Sequence, residues 1–141
     1  MYIGQYNHSI DNKNRLFIPT VFRGKTKSFI LTQGLEGCLF LYDTDGWKKV
    51  LSKLDDLALE DKIQERAFKR ALLSGAYELT PDFQGRLLIP KTLKEFAGIK
   101  GDVIVIGVGT RVEIWDQKRW NTYYKQQADS SFNKIAGKLE I

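Results

Sequence analysis

The chain has 141 residues with a mixed-sign charged fraction of 28% and a formal net charge of +5. This length fits one domain with its own core, and the composition excludes wholesale disorder. The apolar runs are much shorter than the ~18 residues that a membrane helix needs, and a single cysteine excludes an intramolecular disulfide. Since the N-terminal stretch lacks the features of an export signal, we expect a cytoplasmic protein for which an anionic partner is allowed but not required.

The first predicted feature is the turn DNKNR at residues 11–15, between two short strands. Aspartate is favoured at the first position of a type I turn because its carboxylate accepts hydrogen bonds from later backbone amides. The fourth position needs a positive φ, which asparagine adopts more readily than other residues with a side chain. We therefore expect Asp11 to shape the turn and Asn14 to place an amide beside Arg15.

The elements that follow are a proline-led helical turn, a hairpin and two helices. Pro19 suits the first position of a short helix because its φ is fixed and it has no backbone donor. Cys38, on the second strand of the hairpin, is expected to be a buried packing residue. The predicted bounds are 28–32 and 38–42 for the hairpin strands, about Thr44 to Leu54 for one helix, and roughly Glu60 to Leu73 for the next, ended by Gly75.

The chain then repeats itself at an offset of 71 positions, which aligns DNKNRLFIP at 11–19 with DFQGRLLIP at 82–90. The same order of elements follows, ending in a helix from about Gln117 to Ala128. Because four short strands per copy cannot enclose a core alone, we predict one pseudo-twofold β unit with interleaved strands and outer helices. The predicted divisions are 1–50 for the first repeat, 51–75 for a helical connector, 76–121 for the second repeat and 122–141 for a C-terminal helix or tail.

The duplicated turns carry the functional hypothesis. Arg15 and Arg86 occupy related positions, and an arginine guanidinium suits forked contact with phosphate or guanine. The basic residues Lys13, Arg23, Lys25, Lys27, Lys91 and Lys94 extend this face. The alternative is structural, in which the aspartates only stabilise hairpins and the arginines are solvated.

The residues offer little for catalysis or metal binding. HSID at 8–11 holds His, Ser and Asp, yet strand alternation points His8 and Ser9 to opposite sides. His8 and Cys38 lack a third soft ligand, and GVGTR at 107–111 lies between two strands as a hairpin turn rather than a dinucleotide loop. We therefore expect no enzyme activity, no metal and no cofactor.

Four stretches together resemble the MraZ family of bacterial regulators: MYIGQYNHSIDNKNRLFIP, LTQGLEGCLFLY, SGAYELTPDFQGRLLIP and VIVIGVGTRVEIW. The resemblance runs from Met1 to about Tyr124 and leaves the tail DSSFNKIAGKLEI without a function. It implies a mainly β fold with α-helices, a pseudo-twofold AbrB-like swapped-hairpin (double-split) barrel built from two tandem repeats with flanking helices.

The resemblance also implies a function. Family members are transcription factors that bind repeated boxes upstream of their own cell-division and cell-wall operon and assemble into rings, so the expected partners are double-stranded DNA and further copies of the chain, at the nucleoid, with no membrane and no small-molecule substrate. The family signature Asp-x-x-Gly-Arg matches 82–86 in full and 11–15 with Asn14 for glycine. The DNA-binding residues expected on this basis are Arg15, Arg86, Lys13, Asn14, Gln84 and Gly85, with Asp11 and Asp82 shaping the loops.

A second interpretation belongs to another functional class. The same type of barrel also occurs in antitoxins, which neutralise a toxin through an appended tail. The residues after Tyr124 are the candidate tail for such a protein-interaction module.

Overall fold

Eight short strands form the centre of the structure, a computed structural model that describes all 141 residues. The strands are β1 Gln5–Ser9, β2 Arg15–Phe17, β3 Phe29–Gln33, β4 Leu39–Asp43, β5 Tyr77–Leu79, β6 Arg86–Leu88, β7 Asp102–Gly107 and β8 Val112–Asp116. The helices are α1 Thr20–Arg23, α2 Thr44–Asp55, α3 Lys62–Ser74, α4 Lys91–Phe96, α5 Gln117–Tyr123 and α6 Asp129–Leu139, with a π-helical turn Tyr124–Ala128 between the last two. The fold is therefore mainly β with helices, as predicted.

The two copies interleave through their strands. The first strand of each copy pairs with the hairpin of the other, β1 with β7 and β5 with β3, and the pair β2 and β6 also joins the copies. The six-stranded sheet has the order β1-β7-β8-β4-β3-β5, so its end strands β1 and β5 do not pair with each other. Strand exchange is confirmed, while the sheet is open in this structure and the closed barrel stays a prediction.

The core is shared between the copies because alternate strand residues point inward from both. Leu16 and Leu87 face each other across the β2–β6 pair and both are fully buried. Burial of each leucine stabilises the fold by about 1.5–3 kcal/mol relative to exposure. Cys38 belongs to a smaller buried cluster with Trp115, and burial raises the pKa of its thiol, as expected for a packing residue.

The prolines occupy a different position from the predicted one. Pro19 and Pro90 precede α1 and α4 as N-cap residues with ψ of 139° each, instead of serving as the first helical residue. The ψ is extended because each proline lies in the short connection between the end of a strand and the start of the helix. The carbonyl of Pro19 nonetheless accepts from the amides of Phe22 and Arg23, which starts the helical turn.

Two helices lie outside the core. α3, the predicted connector, has no buried residue and is capped by Asp61, whose carboxylate accepts from the amides of Ile63 and Gln64. The helix predicted to end at Ala128 continues through the π-helical turn to Leu139, and α6 has no buried residue. The longest helical segments lack the apolar length to span a membrane.

Candidate nucleic-acid interface

The first turn has the geometry that its sequence predicts. Asp11 Oδ1 accepts from the backbone amides of Lys13 and Arg15, each at 2.9 Å. The backbone amide of Asn14 donates to the Asp11 carbonyl at 3.0 Å. Asn14 has a φ of 62°, in the left-handed region. One carboxylate therefore fixes a backbone that would otherwise leave amides without partners.

The second turn repeats these contacts atom by atom. Asp82 Oδ1 accepts from the amides of Gln84 and Arg86, each at 2.9 Å, and the Gly85 amide donates to the Asp82 carbonyl at 2.9 Å. Gly85 has a φ of 81° where Asn14 has its positive φ. The sequence repeat is thus a structural repeat, and asparagine replaces glycine without a change of turn.

Each aspartate also holds the arginine of its own turn. The Nε of Arg15 donates to Asp11 Oδ2 at 2.8 Å, and the Nε of Arg86 donates to Asp82 Oδ2 at 2.9 Å. The arginine side chains are 31% and 26% exposed. Because the carboxylate binds Nε, the terminal guanidinium nitrogens make no hydrogen bond within the chain and remain available to an acceptor in a fixed orientation.

Both arginines lie on one surface, formed by the outer face of the β2–β6 pair and the turns 11–15 and 82–86, which we call the platform. In the antiparallel pair, Arg15 is opposite Leu88 and Arg86 is opposite Phe17. With Leu16 and Leu87 turned into the core, strand alternation places the two arginines on the outer face. Arg86 Nη1 lies 3.9 Å from the carboxylate of Asp11, so the structure brings the two predicted arginines together across the copies.

The pKa values of the two carboxyl groups are lowered. The main cause is the hydrogen bond that each accepts from the arginine backbone amide, Arg15 for Asp11 and Arg86 for Asp82, followed by the arginine side-chain contact. Both groups are therefore ionised at neutral pH and keep the guanidinium groups oriented.

The turns differ in what covers them. Lys94 Nζ donates to Asn14 Oδ1 at 2.9 Å, so the amide oxygen of Asn14 is already occupied. Arg23 stands at the position equivalent to Lys94, and its guanidinium lies over Gly85, where an added Cβ would be 2.6 Å from Arg23 Cζ. Gly85 is buried in this arrangement. Sequence reasoning placed Arg23 and Lys94 on the basic face but missed these contacts, which the offset of 71 could have indicated.

The turn tips also differ. Lys13 and Gln84, both predicted as binding residues, are exposed, and so are their neighbours Asn12 and Phe83. Phe83 is 96% exposed, the most accessible ring on the platform, and sequence reasoning did not select it.

The candidates for other chemistry lie apart from one another. The ring of His8 packs against Phe17 at 5.2 Å, while Ser9 Oγ donates to Asp102 Oδ1 at 3.0 Å. No cluster of three His, Cys, Asp or Glu side chains in the structure could hold a metal ion. His8 and Ser9 therefore do not share a site.

Comparison with known proteins gives a consistent result. A family model described as "MraZ protein, putative antitoxin-like" matches residues 1–71 and 72–140. A protein named Transcriptional regulator MraZ from Caldanaerobacter subterraneus subsp. tengcongensis is 50% identical over 141 residues, covering 99% of this chain and 97% of the relative. The proteins of the same name from Thermoanaerobacter pseudethanolicus and Acetivibrio thermocellus are 49% and 46% identical, covering 99% and 100% of this chain and 97% and 98% of the relatives. The match reaches residue 140, so the expected limit near Tyr124 was wrong and the tail is part of the similarity.

Proposed function

The chain belongs to the MraZ family, and from that premise we propose that it is a transcriptional regulator that binds double-stranded DNA in a sequence-specific manner. The observation that carries the proposal is the pair of aspartate-held arginine turns on one platform, in which the terminal guanidinium nitrogens make no hydrogen bond within the chain. Two parallel N–H groups match the O6 and N7 acceptors of guanine or two phosphate oxygens, and a good bidentate base contact is worth about 1–3 kcal/mol of discrimination.

The surrounding residues supply the non-specific part of the affinity. Lys13 at the first turn is exposed, and so are Lys25, Lys27 and Lys91, which follow the two turns in sequence and add positive charge to the surface. Each phosphate that they neutralise releases a counterion, so the affinity is expected to fall steeply with salt. Asn14 contributes through its free amide nitrogen, since Lys94 occupies its oxygen, and Gln84 contributes its exposed amide. Gly85 contributes by its backbone conformation.

Assembly into a ring is part of the proposal. α3 and α6 have no fully buried residue and expose Ile63, Phe68, Phe132 and Ile135, as expected of helices completed by neighbouring copies. A ring sums many weak loop contacts, and boxes read by adjacent subunits would repeat at about one helical turn, ~10 base pairs. The pairing of β1 with β7 and of β5 with β3 supports an AbrB-like swapped-hairpin barrel, which we propose as the closed form of the unit.

We further propose that the boxes lie upstream of the protein's own cell-division and cell-wall operon, that the protein works at the nucleoid, and that it is not an enzyme. Footprinting on the DNA upstream of its own gene tests the first point, since protection should recur with the ~10 base-pair period. Uniform protection without a period would contradict the ring arrangement.

The site assignment is tested by Arg15→Ala, which should weaken promoter binding on the order of 100-fold, because it removes both a base or phosphate fork and its charge. Arg15→Lys keeps the charge and loses the fork, so it should recover only the salt-dependent part. Lys49 is an exposed residue of α2, and Lys49→Ala is the control for the loss of one positive charge alone. Unchanged binding by Arg15→Ala, with folding and assembly intact, would refute the assignment.

A second candidate is an antitoxin-like protein-interaction module, favoured by the tail. Phe132, Ile135 and Leu139 are 66%, 53% and 63% exposed and follow the spacing of one helix face. Stoichiometric copurification of a small partner, abolished by Ile135→Glu, together with no salt-sensitive retention of DNA, would support this candidate over the first.

A further inference from the structure

Phe83 is the most exposed ring on the platform and has no aromatic partner in the chain. It is 96% exposed at the second position of the turn 82–86, where the first turn has Asn12. A single exposed apolar residue is ordinary by itself. Phe83 differs from such a residue because it stands at the tip of a turn whose arginine, Arg86, is oriented by Asp82 for the proposed DNA contact.

The turn presents Phe83 and Gln84 ahead of Arg86. Arg86 is 26% exposed and tied to Asp82 through Nε, whereas Phe83 and Gln84 project from the tip without side-chain partners in the chain. A duplex that approaches this turn therefore meets an aromatic ring and a neutral amide first. At the first turn it meets Asn12 and the ammonium group of Lys13.

The chemistry of the base edges narrows what this tip can recognise. In the major groove the only apolar group is the C5-methyl of thymine, and glutamine pairs with the N6 and N7 of adenine. In the minor groove an apolar wedge is also possible, but that groove presents no methyl group and shows A·T and T·A as the same acceptor pattern. A tip of one apolar ring and one neutral amide therefore finds distinguishing partners only in the major groove.

We propose that the second turn selects an A·T pair in the major groove, with Phe83 packed against the thymine methyl and Gln84 hydrogen-bonded to the adenine. This inference rests on the proposed DNA-binding function and extends it, because it gives the two turns different base preferences. The second turn reads A·T by shape and a neutral amide, and the first adds positive charge through Lys13.

The test removes the methyl and the ring separately. Full-length protein is titrated onto its promoter fragment while each box thymine is replaced in turn by uracil, which lacks only the methyl. Wild type should lose about fourfold in affinity at one thymine of the box, the value for one buried methyl group. Phe83→Ala should bind about tenfold more weakly and show no sensitivity to uracil at that position. Asn12→Ala, the matched residue of the first turn, should keep the wild-type sensitivity.

A parallel arm tests the amide. Replacing the paired adenine by 7-deazaadenine removes the N7 acceptor, which should weaken wild type and leave Gln84→Ala indifferent. The slope of log affinity against log salt should be unchanged in both variants, because neither removes a charge.

The proposal is overturned if Phe83→Ala binds the fragment as wild type does, or if uracil weakens both proteins equally. It is also overturned if 2-aminopurine beside the turn becomes fluorescent on binding, which would indicate an unstacked step and a wedge, or if Phe83→Ala changes the assembled mass, which would place the ring at a contact between copies. If wild type itself fails to retain the fragment, the proposed function fails and this inference falls with it.

Discussion

The turns at 11–15 and 82–86 are two versions of one loop, and their differences are confined to particular positions. The aspartate, the residue of positive φ and the arginine make the same contacts in both turns. The positions between them hold Asn12 and Lys13 in one copy and Phe83 and Gln84 in the other. The frame is thus constrained by backbone hydrogen bonds, whereas the tip side chains have no hydrogen-bond or ion-pair partner in the chain and can differ in recognition chemistry.

A second difference lies beneath the tips and involves both copies. Asn14 is paired with Lys94 of α4, and Gly85 leaves space for Arg23 of α1. Each turn is therefore completed by the helix of the opposite copy. Asn14 is thus matched with a lysine, whereas Gly85, which has no side chain, is matched with an arginine.

The largest expected effect comes from making the second turn like the first. Gly85→Asn keeps a tolerable φ, but its Cβ would lie 2.6 Å from Arg23 Cζ, so the flexible guanidinium must shift, which weakens its hydrogen bonds to Ile18 and Thr20. We expect a loss of about 1–3 kcal/mol in the free energy of unfolding, measured by denaturant titration. Adding Arg23→Lys should restore part of it by recreating the pairing of the first copy. Equal stability of Gly85→Asn and wild type would show that the pairing does not matter.

Changes at Asn14 in the first turn should cost less. Asn14→Ala must hold a φ of 62° without the hydrogen bond to Lys94, so a loss of about 1–2 kcal/mol is expected. Asn14→Gly relieves the backbone strain and should be clearly more stable than the alanine variant, as thermal unfolding of the two would show. If alanine and glycine were equivalent, the left-handed conformation would not be the constraint.

Removing only the covering lysine is a smaller perturbation. Lys94→Met keeps the aliphatic stem and loses the hydrogen bond to Asn14, a contact worth about 0.5–1.5 kcal/mol at most. The expected change in unfolding free energy is below that of Asn14→Ala. Promoter affinity should fall modestly and less at high salt, and a loss as large as that of Arg15→Ala would give Lys94 a direct role at the DNA.

The smallest difference between the turns is expected in their pH response. The pKa values of Asp11 and Asp82 are lowered in the folded state, so their contribution to stability is complete above the unfolded carboxyl pKa of about 3.9 and is lost as the pH falls through the folded values. Asp11→Asn and Asp82→Asn should each reduce, to a similar extent, the loss of unfolding free energy that occurs below about pH 4. Flattening near neutral pH would contradict the assignment of the cause.

Much of the molecule was accessible from local sequence. The turn residues, the hairpins, the connector helix and the repeat depend on near neighbours, and the structure has them close to the predicted positions. Strand exchange also followed from the repeat, because a single copy has too few strands to bury its apolar residues. The N-cap role of the prolines and the continuation of the last helix to Leu139 were missed, since both depend on how a segment joins its neighbour.

The sequence by itself determined the frame of the two turns, because an aspartate, a residue able to take a positive φ and an arginine within five positions form their hydrogen bonds locally. Only the tertiary structure decided what each turn presents. The contact of Asn14 with Lys94 joins residues 80 positions apart, Arg86 meets the carboxylate of Asp11 from the other copy, and the exposure of Phe83 depends on the absence of any packed element above it. Contacts between distant segments arise from the pairing of the two copies, which no local pattern encodes.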